Sequence, residues 1–522
     1  MDFLLLSNYL LPRLDLIELF NLNQFMDFSL LYANNFKMFL PEIFLTTSIL
    51  ILTLHASFIA TSRFLGYPLI SKSINSLCIL ALSLTFLLAY NNSIVFMTTY
   101  QNTFIFDFLT LNVKQIILLG SLFCLIISEP NLIRQKINNF EYFILLLCAV
   151  LGLMLLVSSY DMISLYLSIE LQSLCLYVLS ASKKDSSFST EAGLKYFILG
   201  SFSSALLLFG ISLLYGCTGT TNFDNFYLIF SETSVNDIAV VSLIKKSLLC
   251  ISVAFLFKIA AAPFHMWSPD VYEGSPISST IFFAVIPKIV LFAIFLRLFQ
   301  NIFSNFEETF LFVLIFSSIA SVIVGSFVAL KQKKLKRLLA YSSINHVGYL
   351  LLAFASNSLE GTQALFFYLI VYMITSLCVW SIFLSLNTLL NEQKSKTLVD
   401  LASVAILNPV LGFTAMVALF SLAGVPPLAG FFAKMEIFIS ALSASLFWPS
   451  LIAILLSVIS SYYYIRLIKT VYFEVKPEFS YVIPLNRSCS FTMGTMLFFL
   501  VYFFLNPSLL LLLTQKMTLC LF

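Results

Sequence analysis

Charge is scarce in this chain of 522 residues. Asp, Glu, Lys and Arg together make up 10% of it, and there are only three histidines, whereas soluble domains carry about 25% charged residues. The hydrophobic share of 60% also exceeds the ~45–50% of soluble domains. This composition excludes a soluble globular protein. The net charge of +3 is too small to indicate binding to nucleic acid.

Motifs for redox cofactors, metals and nucleotides are also missing from the sequence. The nine cysteines form no C-x-x-C pair and no cluster with histidine at the spacing of a zinc or iron–sulfur site. Neither G-x-G-x-x-G nor G-x-x-x-x-G-K-[ST] occurs, so no nucleotide site is indicated. We therefore predict that this chain binds no cofactor and no metal, and that it has no redox centre of its own.

Long apolar runs dominate the sequence, and its mean hydropathy is +0.99. The runs are too long and too uniformly apolar for the alternating strands of a transmembrane barrel. We predict an all-α polytopic membrane protein of about fourteen transmembrane helices, since each span needs about 20 residues. The predicted spans lie at roughly 40–61, 74–91, 113–128, 141–157, 160–180, 192–215, 243–263, 277–299, 308–330, 338–355, 363–389, 404–445 (interrupted), 450–472 and 492–513.

Residues 1–37 precede the first predicted span. They mix charged residues such as Arg13 and Glu18 with apolar ones, a composition unlike that of a signal peptide or an Arg-rich transit peptide. We predict that this segment is an interfacial or extramembrane extension. The transmembrane domain would then occupy residues 38–522.

The distribution of positive charge predicts the orientation. If the spans alternate strictly across the membrane, most of the 28 Lys and Arg residues fall in loops on one side, including the basic run at 331–337. The same alternation assigns Lys114 and Arg297 to loops on the opposite side. Positively charged loops mark the inner side of a membrane, so both termini are expected on the outer side.

Two of the predicted spans contain proline at membrane depth. The seventh runs into Pro263, and the twelfth contains AGVPPLAG at 423–430. Proline removes a backbone donor and clashes with the preceding turn, so each helix should be broken there. Discontinuous helices in two parts of a bundle are typical of inverted-repeat transporters, whose ion path lies at the breaks. The alternative, that Pro263 only ends a helix, stays open.

Charged residues inside the spans are the main candidates for function. Each costs about 2.5–3.5 kcal/mol at the centre of a transmembrane helix. Lys195 lies near the end of its span, where snorkelling to the interface competes with a functional role, while the others lie deeper. These candidates are Glu170, Lys195, Lys258, Lys288 and Lys434.

A row of lysines with one carboxylate suits proton transfer better than hydrolysis or metal catalysis, which need converging ligands. A nearby carboxylate stabilises a charged lysine in a membrane, so moving Glu170 relative to Lys258 would load and unload a proton. His346 lies in a span and suits a proton relay, although packing is the simpler interpretation. Glu436 lies about 200° around the helix from Lys434 and faces another way.

Four motifs surround these residues: EAGLKYF at 191–197, PFHMWSPDVYEGSP at 263–276, KRLLAYSSINHVGY at 336–349 and SLAGVPPLAGF at 421–431. With them the chain resembles the antiporter-like membrane subunits of respiratory complex I over roughly residues 40–475. Within that family, Lys195 and Lys288 are similar to those of the subunit 2 branch, which is subunit N in bacteria.

The resemblance implies that Glu170, Lys258, Lys288 and Lys434 form a proton path, with Lys195 as a further member. It also implies two inverted five-helix repeats, helices 4–8 and 9–13, at roughly 141–299 and 308–472, with helices 7 and 12 broken. NADH, flavin mononucleotide, iron–sulfur clusters and ubiquinone would belong to partner subunits. The expected partners are other membrane-arm subunits, neighbouring antiporter-like subunits among them, and the lipid bilayer.

Two alternatives stay open beside a proton-translocating subunit of complex I. A cation/proton antiporter subunit of the multisubunit type shares the fold, but Lys288 and a chain that stops soon after its last span argue against it. A structural subunit that pumps nothing would gain by replacing Glu170 and Lys258 with leucine. We expect the mitochondrial inner membrane, with the basic loops in the matrix. The bacterial inner membrane is the alternative.

Overall fold

The computed structural model of the chain is nearly all helical, and 85% of the described residues lie in helices. Most of the predicted extension at 1–37 lies outside the described residues. The structure describes residues 35–60, 67–92, 96–135, 137, 139–232, 238–385, 397–402, 404–474 and 486–521.

The first part of the chain forms helices around one short hairpin. Its elements are α1 (Leu40–Ala60), α2 (Tyr67–Tyr90), β1 (Phe96–Thr99), β2 (Phe104–Asp107), α3 (Phe108–Arg134), α4 (Glu141–Ser158), α5 (Met162–Ser180), α6 (Ser187–Thr218), α7 (Phe223–Glu232), α8 (Ile238–Ile259), α9 (Trp267–Gly274) and α10 (Ile277–Leu296).

The regular elements of the second part are all helices among its described residues. Its α-helices are α11 (Glu307–Lys331), α12 (Leu335–Ala355), α13 (Leu359–Ser385), α14 (Val404–Leu407), α15 (Pro409–Ala423), α16 (Ala429–Ser443), α17 (Phe447–Tyr472), α18 (Arg487–Leu505) and α19 (Ser508–Thr518).

Twelve of the described helices are long and apolar enough to cross a membrane. The predicted twelfth span is formed by α15 and α16, each 15 residues long. The predicted fourteenth is formed by α18 and α19, which are bent by 89° at their break. The all-α polytopic class is confirmed. The count of about fourteen spans and the two inverted repeats stay predictions.

The hairpin of β1 and β2 is a small exception to the all-α prediction. Its strands pair antiparallel, with Phe96 opposite Asp107. Asp107 also caps α3, because its side chain accepts a hydrogen bond of 2.8 Å from the backbone N–H of Thr110 and the Thr110 hydroxyl accepts one from the backbone of Asp107. This reciprocal capping fixes the point where the strand ends and the helix begins.

Helix α10 lies at the centre of the bundle, and all of its residues are buried. A helix that is apolar all around is expected inside a bundle, since it has no face suited to water. Helix α10 packs against α3 and α13, and α12 and α13 are almost as completely buried. Lys288 in α10 and His346 in α12 therefore lie in the interior of the molecule.

Both predicted breaks are present in the structure. Helix α8 ends at Ile259, Ala260 takes a positive φ of 64°, and the chain becomes helical again at α9. The indole N–H of Trp267 donates a hydrogen bond of 3.0 Å to the carbonyl of Phe257 near the end of α8. Helix α15 ends at Ala423, and Gly424 follows with a φ of 82°, the left-handed conformation common at helix C-termini.

Candidate functional site

The first part of the candidate site is a cavity between α5, α8 and α10. The centre of a water molecule can occupy about 20 Å³ of this cavity. The lining residues include Lys258, Lys288, Ser173 and Tyr272. This volume is enough for one ordered water. Neither lysine Nζ has a hydrogen-bond partner among the described residues. The broken helix places Lys258 one residue before the end of α8, where the helix dipole favours a cation.

Glu170, in the middle of α5, lies beside this cavity. The Ser173 hydroxyl, which lines the cavity, donates a hydrogen bond of 3.4 Å to Glu170 Oε2. Glu170 Oε1 is buried and has no hydrogen-bond partner among the described residues. The carboxylate is near enough to Lys258 for the two charges to attract each other. The structure thus places the predicted acid and the predicted lysine of the seventh span in one region.

The second part of the site is a smaller cavity between α12, α13 and the broken pair α15 and α16. About 10 Å³ is open to the centre of a water molecule, and the lining residues include His346, Tyr372 and Lys434. Lys434 Nζ donates hydrogen bonds of 3.0 and 2.8 Å to the carbonyls of Leu422 and Ala423. These carbonyls lie at the end of α15, where the last helical carbonyls lack partners within the helix. The break therefore supplies the acceptors for the lysine.

His346 is held on both sides by tyrosine hydroxyls. Its Nδ1 lies 2.6 Å from the hydroxyl oxygen of Tyr368, and its Nε2 lies 2.9 Å from that of Tyr464. In a neutral imidazole one of these nitrogens donates and the other accepts. The two tyrosine hydroxyls therefore hold the imidazole in the same position whichever ring nitrogen carries the proton.

Tyr372 lines the second cavity and lies close to Lys288, which lines the first. Its ring centroid is 5.8 Å from Lys288 Nζ and 5.2 Å from the ring centroid of His346. The predicted residues thus follow one another through the interior in the order Glu170, Lys258, Lys288, His346 and Lys434.

Lys195 is not part of this buried row. Its side chain is 43% exposed and pairs with Glu191 at 2.7 Å and Asp270 at 3.0 Å. Asp270 also accepts a hydrogen bond of 2.6 Å from Arg337. Partial burial raises the pKa of Asp270, but the hydrogen bonds from Arg337 and Lys195 outweigh it and leave that pKa below its usual value. The location of Lys195 matches the snorkelling interpretation.

Tyr368, Tyr372 and Thr375 are site residues that the sequence reasoning missed. They line the second cavity from α13. Their spacing of four and three residues places them on one face of the helix. Hydroxyls repeating at that spacing within an apolar span were the available signal.

The assignment of Lys114 and Arg297 to loops was wrong. Both are buried, and both are paired with acids: Lys114 Nζ lies 2.5 Å from Glu42, and an Arg297 nitrogen lies 2.6 Å from Asp107. Arg297 also donates to the carbonyl of Val157 at 3.1 Å. A charge is buried at lower cost when it is paired than when it is alone, and pairing across the fold is not visible in a hydropathy profile.

In the described part of the chain, no three His, Cys, Asp or Glu side chains are grouped so that they could hold a metal ion. The functional groups of the candidate site are amines, one carboxylate, one imidazole and hydroxyls.

Residues 159–460 match a protein family described as NADH:quinone oxidoreductase/Mrp antiporter, TM. The NADH-ubiquinone oxidoreductase chain 2 of Marchantia polymorpha is 41% identical over 94% of this chain and 100% of the relative. The NADH-quinone oxidoreductase subunit N of Paramagnetospirillum magneticum is 38% identical over 90% and 94%. The chain belongs to this family. Its curated relatives include members of the chain 2 and subunit N branch, as the motifs together with Lys195 and Lys288 predicted.

Solved structures agree with this membership. A chain of respiratory complex I from Thermus thermophilus superposes with a TM-score of 0.74 at 29% identity, covering 90% of this chain and 98% of that chain. A chain of the Mrp complex from Dietzia sp. DQ12-45-1b reaches a TM-score of 0.77 at 18% identity, covering 92% and 96%, which shows the fold alone. Relatives come from plant mitochondria and from bacteria, and this family member is a multi-pass protein of the inner membrane.

Proposed function

We propose that this chain is a proton-translocating subunit of the membrane arm of respiratory complex I. Protons would move along the buried row of Glu170, Lys258, Lys288, His346 and Lys434. The observation that carries the proposal is the arrangement of the row at the two broken helices. Lys258 and Lys288 line the first cavity, and His346 and Lys434 line the second. Tyr372 in the second cavity lies close to both Lys288 and His346.

The first cavity is suited to loading and releasing a proton. An ammonium without a hydrogen bond in an apolar interior is costly, and both Lys258 and Lys288 lack partners there. Approach of the Glu170 carboxylate stabilises the protonated form of Lys258, and its withdrawal favours release. A small movement of α5 relative to α8 would therefore change the protonation of the row.

The free-energy change of such a switch is comparable to the cost of moving one proton against the membrane potential. Moving one charge against the membrane potential costs about 2.3 kcal/mol per 100 mV. Making or breaking an interaction with a buried charge changes the free energy by about 3–5 kcal/mol. One carboxylate moving near one lysine is therefore sufficient to drive a proton against a potential of roughly 150–200 mV.

Electron transfer would take place elsewhere in the complex. We infer that NADH, flavin mononucleotide, iron–sulfur clusters and ubiquinone are bound by partner subunits, and that this chain binds no cofactor of its own. The neighbours would include other antiporter-like subunits in the membrane. The expected location is the mitochondrial inner membrane, with the basic loops in the matrix.

The two alternatives are less well supported. The similarity to the Mrp chain is one of fold, whereas the relatives that match along nearly the whole chain are complex I subunits. A scaffold that pumps nothing has no use for two unpaired buried amines, and replacing Lys258 by an apolar residue would stabilise it.

The experiment that tests the proposal is Lys258→Met in the assembled complex. In sealed vesicles, the NADH:ubiquinone rate and the protons moved per electron pair are measured. We expect both to collapse, or the proton yield to fall while electron transfer survives. The matched control is Lys245→Met, on the exposed side of the same helix, which should retain both values. Full rate and full stoichiometry in assembled Lys258→Met would support the scaffold instead.

A further inference from the structure

The row of titratable side chains is interrupted between its two cavities. Lys288 lines the first cavity, and His346 lines the second. Among the described residues, no side chain with an ionisable amine, imidazole or carboxylate lines both cavities. A proton that travels along the row needs a carrier at this boundary.

Tyr372 is the side chain located at the boundary. It projects from α13 into the second cavity. Its ring lies near both Lys288 and His346, at the distances given above. Tyr368, one turn earlier on α13, bonds directly to His346 Nδ1. The hydroxyls of Tyr368 and Tyr372, which share one face of α13, therefore lie beside the interruption in the row.

The first cavity contains a second tyrosine. Its wall includes Tyr272, which follows the break of α8 and donates a hydrogen bond of 3.4 Å to the carbonyl of Phe283 in α10. Hydroxyl groups can donate and accept at once, so Tyr272 gives the first cavity the same kind of group that Tyr372 gives the second.

We propose that the Tyr372 hydroxyl carries the proton between Lys288 and His346, an inference that rests on the proposed function. A proton leaves the Lys288 ammonium and bonds to the phenol oxygen, either directly or through one water. The original O–H bond of Tyr372 breaks at the same time, and its proton passes through the second cavity to the hydroxyl of Tyr368, which gives its own proton to His346 Nδ1. Rotation of the two hydroxyls restores the starting state. The phenol stays neutral, and no electrons are transferred.

Phenylalanine at this position would keep the ring and remove only the hydroxyl. The chain contains 56 phenylalanines and uses them freely in its core, so a phenylalanine ring is compatible with this interior. The change Tyr372→Phe therefore separates the contribution of the hydroxyl from that of ring packing.

The test is Tyr372→Phe in the assembled complex, because this change removes one oxygen and keeps the ring between Lys288 and His346. We expect proton translocation coupled to NADH oxidation to fall by about tenfold or more, as when a proton-transfer group is removed. Electron transfer in the presence of an uncoupler is measured beside it. Tyr142→Phe is the matched control, since Tyr142 is 2% exposed, lacks a hydrogen-bond partner and lies outside both cavities.

A third variant, Lys288→Met, separates this inference from the proposed function. Loss of pumping in both Lys288→Met and Tyr372→Phe, with Tyr142→Phe unaffected, supports the inference. Full pumping in Tyr372→Phe beside a defective Lys288→Met overturns the inference and leaves the proton path standing. Full pumping in both overturns the inference and the proton path together. An equal defect in Tyr142→Phe would show that any buried hydroxyl matters, and would also overturn it.

Discussion

Single residues at the second break show how the backbone serves the site. Gly424 follows α15 with a φ of 82°, and a Cβ placed on it would lie 2.9 Å from the Lys434 side chain. The glycine is therefore needed twice, once for the left-handed backbone and once for the close approach of the lysine. That approach lets Lys434 reach the carbonyls of Leu422 and Ala423.

We expect Gly424→Ala to destabilise the protein and to reduce proton translocation. The left-handed conformation costs a residue with a Cβ about 1–2 kcal/mol, and the added carbon displaces Lys434. The measurements are the thermal stability of the assembled complex and its protons per electron pair. Gly216→Ala is the control, because a Cβ there meets nothing within 4 Å. An unchanged stability and proton yield in Gly424→Ala would contradict the role of this glycine.

The sequence could locate the buried charges but not their partners. Glu170, Lys258, Lys288 and Lys434 stand out because a charge deep in an apolar run is costly wherever the chain goes. Lys195 lies nearer the end of its span, and the sequence does not show that it pairs with Asp270, 75 residues away. A contact over that separation depends on how α6 and α9 pack, which hydropathy does not contain.

At the scale of the elements, an ion-pair network fastens the short helix α9 to the start of α12. Arg337 bonds to Asp270 at 2.6 Å and to Glu273 at 2.7 Å. Lys334 also pairs with Glu273. Helix α9 follows the break in α8, so the network holds the segment on which the geometry of Lys258 depends.

We expect Asp270→Asn to lower the thermal stability of the complex slightly, since each partly exposed pair contributes about 0.2–1 kcal/mol. The pKa of Asp270 lies below its usual value, so the folded protein holds it as a carboxylate. Its contribution is complete above the unfolded pKa of about 3.9 and is lost only as pH falls through the lower folded value. The stability difference should therefore be constant between about pH 6 and 8. Thermal scans across that range measure it.

The control for this network is Asp185→Asn, at an exposed position in the loop before α6. It should leave the thermal stability unchanged. A stability difference for Asp270→Asn that grows or shrinks across the neutral range would mean that another group titrates with the network, and would contradict the assignment.

The breaks themselves were predictable, because proline disrupts a helix regardless of its tertiary surroundings. Their consequences were not. The proline segment at 426–427 does not indicate which carbonyls become free or that Lys434 binds them. The hydroxyl stripe of α13 was likewise present in the sequence, but tyrosine is common in membrane helices and its spacing gains meaning only beside His346.

At the scale of the whole molecule, two buried ion pairs join the first helices to the rest of the bundle. Glu42 at the start of α1 pairs with Lys114 in α3, and Asp107 at the start of α3 pairs with Arg297, just after α10. The partners are 72 and 190 residues apart in the sequence. Helices α1 and α3 precede the region 159–460 that matches the family. These pairs therefore connect the leading helices to the helix that carries Lys288.

We expect Glu42→Gln to destabilise the protein strongly, because it leaves Lys114 charged and without a partner in an apolar interior. Removing one member of a buried pair costs about 3–5 kcal/mol. The measurements are the amount of this chain in the assembled complex and the thermal stability of that complex.

The double variant Glu42→Leu with Lys114→Met should recover most of the loss, since an apolar pair of similar size is often as stable as the ion pair it replaces. If the single variant is as stable as the parent, or the double variant is no better than the single one, the pair does not hold these helices. If the double variant restores assembly and proton translocation together, the pair holds the fold and the proton does not pass through it.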